Sequence, residues 1–466
     1  MKRFCLSLVL VFALTFAGIA AAQQNPVPAS PSPAPLDALH KADEIMAEVS
    51  ALLKLPVKWP LKKSMRSREE IRAYLLSQFR KETKPEEIYA EEVALTKFGL
   101  IPKGFKLEPF LLDVLTEQVA GLYDPSEREF YIADWLASEE LNVVMVHELV
   151  HALHDQHFRL KAWQDAAKPS EDAQMARHAV AEGAATLVML EFMIRDMGLP
   201  VSSARQMGDI TLFLRSMIAG GMGDSPQMAK APAYIRDALL FSYVEGAIFS
   251  QKILKEGAGW EDFNRVYTDP PATTQQILHP ELYLDGVVPE PVDLSPARRA
   301  VPRSWKKLDE NHMGEFGLHA ILKEHLGKQV AEELAPAWAG DTYAVFEHQK
   351  TREALLLFRL RLRDEEAAVR FFGIYSDALE KKYGSTRELF RRPNFFTFST
   401  DEGGVFLHCV ATDCLVMEGA DRAVFDALNR RLKRPAAPVQ PPSASRRIAS
   451  ASALQSMRTT PLACGQ

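Results

Sequence analysis

Two histidines four residues apart, with a glutamate beside the first, are the strongest chemical signal in this chain. Residues 143–157 read VVMVHELVHALHDQH, and His147-Glu148-Leu149-Val150-His151 is an H-E-x-x-H motif. On a helix, side chains at i and i+4 lie one above the other on one face. Both imidazoles can therefore reach one metal ion, while Glu148 lies on an adjacent strip and can meet a water on that metal. Zinc suits such a site, because a catalytic zinc takes three protein ligands and keeps one position open. It brings the pKa of the water near neutrality, and a carboxylate can then take the proton. Val143, Val144, Val146, Leu149, Val150 and Leu153 make the helix strongly apolar, as a buried active-site helix needs. Two histidines and a glutamate in such surroundings are costly to bury without a purpose.

A third ligand must come from elsewhere. Glu182, in His178-Ala-Val-Ala-Glu182-Gly-Ala-Ala, is the leading candidate. It falls on the next predicted helix, and antiparallel packing would bring it back over His147 and His151. Gly183 and Ala184 are small enough to let the two helices approach. Glu245, in Ser-Tyr-Val-Glu-Gly-Ala, is the rival. Its flanks are equally apolar, but a helical hairpin needs no long crossover, which favours Glu182. His154, His157 and His178 are further alternatives. Peptide hydrolysis also builds negative charge on the carbonyl oxygen, which a donor beyond the metal stabilises. His279, in a proline-bracketed loop, is the candidate donor, with Tyr243, Tyr267 and Tyr283 as alternates.

These residues need elements to hold them. Apolar positions recur at helical spacing over Leu36–Leu55, Arg68–Glu82, Pro85–Phe98, 138–158, 171–197, Asp209–Gly220 and Ile235–Glu256. Glu117–Asp134 alternates apolar and polar residues on both sides of Asp124-Pro125-Ser126 and predicts a β-hairpin. An exposed strand there could hold an extended peptide by backbone pairing. Pro270-Pro271 and Pro280 break the helical pattern. Beyond residue 301 the texture changes. Strands are expected at Tyr343–Glu347, Ala354–Leu362 and Leu415–Glu418, with a hairpin from Phe395–Ser399 to Val405–Val410. Helices are expected at Asp364–Lys382 and Asp421–Leu432. No repeat array is present; only the string Glu-Gly-Ala recurs, at 182 and 245.

The H-E-x-x-H pair, with a glutamate and Gly-Ala on an alanine-rich helix, resembles the gluzincin branch of the zincin metallopeptidases. HELVHALHDQHF and Pro270-Pro271-Ala-Thr-Thr-Gln-Gln-Ile-Leu-His279-Pro-Glu-Leu-Tyr283 resemble uncharacterised secreted bacterial and archaeal surface proteins of that branch. The resemblance covers roughly residues 85–300. It implies one zinc per chain, bound by His147, His151 and Glu182, with Glu148 as general base. Many gluzincins carry an acid one turn after the ligand glutamate; here that position is Thr186. Asp155 or Glu191 would have to support the ligand histidines instead. The fold class expected is α+β: a mainly helical zincin-like domain with a small β-hairpin at 36–300, then a smaller α+β domain at 301–432.

The chain has 466 residues, 25% of them charged, and a net charge of −6. That length predicts two or three domains, and the mild acidity argues against a nucleic-acid partner. Lys2 and Arg3, the apolar run Phe4–Ala17 and Ala20-Ala21-Ala22 predict a signal peptide at 1–22, and therefore a secreted protein. Its loss would take the charge to −8. No later run is long and apolar enough to span a membrane. Residues 23–35 predict a Pro-rich linker and 433–466 a disordered tail. Cys409 and Cys414 are spaced to bridge a hairpin or to stay as two buried thiols, and Cys464 is expected to be unpaired. The function expected is a secreted zinc peptidase acting on peptides or proteins. The alternatives are an inactive surface or binding protein on the same scaffold, and a zinc amidase acting on cell-wall material.

Overall fold

A computed structural model describes residues 35–430, apart from 119–120, 137, 199–202, 224–225, 296–299, 385, 421–423 and 428–429. The predicted signal peptide, the tail and all but the last residue of the linker lie outside the described residues. So does most of the helix expected at Asp421–Leu432.

The architecture is α+β, a helical N-terminal region followed by a unit built on one large sheet. The first region contains α1 (Pro35–Leu53), β1 (Lys62–Arg66), α2 (Arg68–Glu82), α3 (Pro85–Phe98), α4 (Leu107–Gln118), β2 (Gly121–Asp124) and β3 (Glu129–Ala133). It continues with α5 (Ser138–Phe158), α6 (Leu160–Asp165), α7 (Glu171–Asp196), α8 (Thr211–Gly223), α9 (Pro226–Ala229) and α10 (Ala233–Glu256). Short helices α11 (Trp260–Phe263), α12 (Thr274–Leu278) and α13 (Pro280–Leu284) close it. No helix among the described residues is long and apolar enough to cross a membrane.

Local chemistry sets several boundaries. Ser67 and Glu70 form a reciprocal capping box that starts α2. Ser170 caps α7, accepting from the Ala173 N–H at 3.2 Å, and Glu171 and Asp172 favour that helix end. Asp209 was expected inside a helix, but its carboxylate accepts from the Thr211 N–H, so α8 begins after it. The expected hairpin is shorter than its pattern suggests, because Glu117 and Gln118 complete α4. Its strands join a three-stranded sheet in the order β1-β3-β2, with β1 parallel to β3. The sequence pattern showed neither α4 nor β1.

The second unit holds β4 (Trp305–Asn311), α14 (Gly314–Leu326), α15 (Lys328–Leu334), β5 (Trp338–His348), β6 (Ala354–Leu362), α16 (Glu365–Tyr383), β7 (Arg387–Arg392), β8 (Phe395–Thr400), β9 (Gly403–Val410) and β10 (Asp413–Ala420). Its sheet runs β4-β5-β6-β10-β9-β8-β7. Strand alternation divides its side chains between two cores. Leu356, Phe358 and Leu360 join the core shared with the helical region, while Leu355 and Leu357 pack with Phe406 and Met417 on the other face. Cys409 and Cys414 stand opposite one another on β9 and β10 and form a disulfide.

α7 and α10 approach each other closely at two glycines. A Cβ added at Gly183 would overlap the carbonyl group of Gly246, and one added at Gly246 would overlap the carbonyl of Ala179. The two Glu-Gly-Ala strings therefore form a single backbone-to-backbone crossing. By contrast, a Cβ at Gly373 on α16 meets nothing within 4 Å. Gly246→Ala should destabilise the protein by about 1–3 kcal/mol or more. Gly373→Ala should be neutral or stabilising by up to about 1 kcal/mol. Thermal unfolding of the two variants checks this; equal midpoints would remove the crossing from its central place.

Candidate metal centre

α5 supplies two of the three candidate ligands and the candidate base. The helix passes through the interior, where Leu149, Val150, Ala152 and Leu153 are fully buried. It stops because Arg159 adopts a left-handed backbone (φ 54°), and Asp155 accepts from the Leu160 N–H at 2.8 Å to start α6. His147 and His151, one turn apart, lie with ring centroids 4.8 Å from each other. α7 brings Glu182 to the same point.

The three side chains make a tight triangle. His147 Nε2 is 3.1 Å from Glu182 Oε2 and 3.0 Å from His151 Nε2, and His151 Nε2 is 3.6 Å from Glu182 Oε2. Bonds of about 2.0–2.1 Å to a tetrahedral zinc place its ligand atoms roughly 3.3 Å apart, so these atoms match one face of the tetrahedron. Protons alone do not explain the arrangement. An imidazole Nε2 carries at most one proton, yet His147 Nε2 faces an acceptor and a second ring nitrogen at once. His147 Nδ1, His151 Nδ1 and Glu182 Oε1 are buried without a hydrogen-bond partner. Buried polar atoms are otherwise nearly always paired. Among the described residues this is the group of three ligand-type side chains whose atoms lie within 4.8 Å of one another. The residues fit a zinc ion.

Electrostatics points the same way. Burial pushes the His151 imidazole down to about 4, against the opposing pull of Glu182. Burial alone would raise the Glu182 carboxyl, but the surrounding His151, His147 and His178 rings hold it well below the carboxylate range. At neutral pH the centre thus presents a neutral His151 and an ionised Glu182, each with a lone pair to donate.

Glu148 and Tyr243 flank the triangle. Glu148 Oε2 accepts from the Tyr123 N–H on β2 at 2.7 Å. Strands β2 and β3 are buried throughout and this N–H is taken by Glu148, so the hairpin does not present the exposed strand expected to pair with a peptide. Tyr123 also donates its hydroxyl to Asp155 at 2.9 Å, so one residue ties the hairpin to α5 twice. Tyr243 on α10 stacks on His147 with centroids 6.1 Å apart. Burial raises its phenol well above the ordinary value, and the nearby Glu182 and Glu148 carboxylates add to the shift.

Other candidates are placed elsewhere. Glu245 pairs with Arg215 at 2.8 Å, so the rival third ligand faces away from the histidines. His279, the expected oxyanion donor, caps α12, with Nε2 2.8 Å from Glu315 and Nδ1 3.7 Å from Glu281, and so is engaged away from the triangle. It stands beside α14, which sequence reasoning did not foresee. Tyr283 donates to the Asp269 carbonyl, and Tyr267 meets His154 at 2.8 Å. His157 contacts the Pro56 carbonyl. His178 Nδ1 approaches Glu182 Oε1 to 3.9 Å, beyond hydrogen-bond reach. Asp155 is occupied as described, and Glu191 accepts from the Ala204 N–H. Neither takes up the role of the acid absent at Thr186. Sequence reasoning missed the tie from Tyr123 to Glu148, which is a backbone contact with no residue-type signal.

Comparison with known proteins touches only the second unit. A family described as a domain of unknown function (DUF8575) matches residues 301–429. That span excludes the triangle, Glu148 and Tyr243. No curated protein and no solved structure matches the chain.

The full-length protein should bind zinc at one per chain, measured by elemental analysis after dialysis. Glu182→Ala should lose that zinc, whereas Glu245→Ala should retain it. The reverse pattern would transfer the third ligand to Glu245.

Proposed function

We propose that the chain is a secreted zinc-dependent peptidase that hydrolyses peptide bonds, with Glu148 as general base. The observation that carries this reading is the convergence of His147, His151 and Glu182 lone pairs beside a carboxylate and a phenol. Zinc held there would polarise a carbonyl and acidify a water. Glu148, oriented by the Tyr123 N–H on its Oε2, would take a proton and later pass it to the leaving amine. The Tyr243 hydroxyl, with its strongly raised pKa, stays protonated and can donate to the developing oxyanion. Tyr243 takes the place of His279 in that role because it stacks on His147 and bonds to Glu182, whereas His279 meets Glu315. Secretion rests on the charge and apolar pattern of residues 1–22.

One observation favours a second reading. His147, Glu148, His151 and Glu182 are each 0% exposed, so the centre is closed to an extended peptide in this conformation. A closed site suits a structural zinc in a protein that binds without cleaving. The intact Glu148 favours the peptidase, because a structural zinc site has no use for a base.

Glu148→Gln decides between them. It should keep zinc but lose peptide hydrolysis by about a hundredfold or more. The assay is digestion of a mixed peptide library and of cell-wall peptides, with and without chelator. Unchanged cleavage by Glu148→Gln would sink the mechanism. A wild-type protein that binds zinc and cleaves nothing would support the structural reading, and cleavage confined to cell-wall amides would support the amidase.

A further inference from the structure

The large sheet of the second unit has two unlike edges. β4, at one end, is built into the molecule: Asp309 and Asn311 are buried, and Asn311 caps α7. β7, at the other end, pairs with β8 alone among the described residues, and all six residues from Arg387 to Arg392 are exposed. Leu389 and Phe390, adjacent on this strand, are 46% and 43% exposed. An exposed edge strand with apolar side chains is a template for pairing with another chain.

The ladder shows which main-chain groups are free. The Cys409 N–H donates to the Asn394 carbonyl at 3.0 Å, which makes Phe395 and His408 a non-hydrogen-bonded pair of β8 and β9. Alternation then turns the main-chain groups of Phe395 toward Arg392 on β7, and sends the N–H and C=O of Arg391 to the open edge. The register of β7 on β8 breaks between Arg387 and Phe390, so the regular ladder is Phe390 to Arg392, and Pro393 follows it.

The charges on β7 are unequally engaged. Arg387 pairs with Asp401 at 2.6 Å, and Arg391 with Asp377 at 3.0 Å. Arg392 has no ion pair among the described residues and lies 5.0 Å from the Phe390 ring centroid. Glu388 accepts from the Ser399 hydroxyl at 3.1 Å and meets no cation among the described residues. Two uncommitted charges of opposite sign therefore stand two residues to either side of an exposed Phe390.

That pattern is complementary to itself. When two such strands pair antiparallel about a two-fold axis at Phe390, the two Phe390 rings meet. Glu388 of each copy faces Arg392 of the other, and Leu389 faces the stem of Arg391. Opposite charges at facing cross-strand positions are favourable and like charges are not. The contact uses the same patch on both copies and closes at two. The chain's own ends offer no such match, because residues 1–34 and 431–466 contain Lys and Arg but no Asp or Glu to meet Arg392.

We propose that β7 is the interface for a second copy of this chain, the two strands pairing antiparallel about Phe390 to join their sheets. The proposal does not rest on the peptidase reading.

Sedimentation equilibrium of the full-length protein tests it. The wild type should show a reversible equilibrium between monomer and dimer. Glu388→Arg or Arg392→Glu alone sets like charges opposite one another twice in a symmetric dimer, and each should weaken association about tenfold or more. The double variant Glu388→Arg/Arg392→Glu exchanges the two charges and should return the affinity to within about threefold of wild type. Both side chains are exposed, so all three variants should keep the wild-type unfolding midpoint of the monomer. A wild type that stays monomeric up to about 100 μM would overturn the proposal. So would a dimer that both single variants leave unchanged, or a double variant that associates as weakly as the singles.

Discussion

Gly183 and Gly246 allow α7 and α10 to touch backbone to backbone, and the candidate metal centre depends on that contact. No larger residue fits at either position without moving a carbonyl of the opposite helix. The crossing joins two copies of the string Glu-Gly-Ala, so each glycine carries a glutamate just before it. Glu182 turns toward His147 and His151, and Glu245 turns toward Arg215. The same close approach seats Tyr243 against His147. One small-residue contact therefore selects the acid that faces the histidines and places a phenol beside it.

The centre also bears on what α5 has to be. Burying two imidazoles and two carboxylates is unfavourable unless each is matched. Glu148 is matched by the Tyr123 N–H of the hairpin, and Glu182 by the histidines. Asp155 is matched by the Tyr123 hydroxyl and the Leu160 N–H. The hairpin sheet, buried along both strands, is thus a support for the helix. The Nδ1 atoms of His147 and His151 have no carboxylate behind them.

The second unit is packed into the helical region. Asn311 accepts from the Glu171 N–H at 2.9 Å, which caps the start of the helix that carries Glu182. Tyr343 and Phe358 meet the Phe98 ring of α3 edge-on, Tyr89 donates to Glu347, and Lys97 pairs with Glu402. The family match at 301–429 falls on this unit. Its sheet face is part of the core beneath α3, which links residues matched to a family of unknown function to the helix bearing a candidate ligand.

The sequence by itself determined much of this. The i, i+4 histidines sit where a helix must align them, and α2, α3 and α5 follow their patterns closely because capping and periodicity are local. Strands β6, β8 and β9 were legible for the same reason. The position of Glu182 was legible only as one of two acids in like surroundings. Tertiary structure chose between them, since only the crossing at Gly183 and Gly246 shows which way each glutamate turns. It also removed His279, because the partner that takes it lies on α14, 36 residues later and unseen in the pattern. The hold of Tyr123 on Glu148 was likewise invisible. Periodicity reports which face of an element is apolar; it does not report which distant backbone or charge will meet that face when the chain closes.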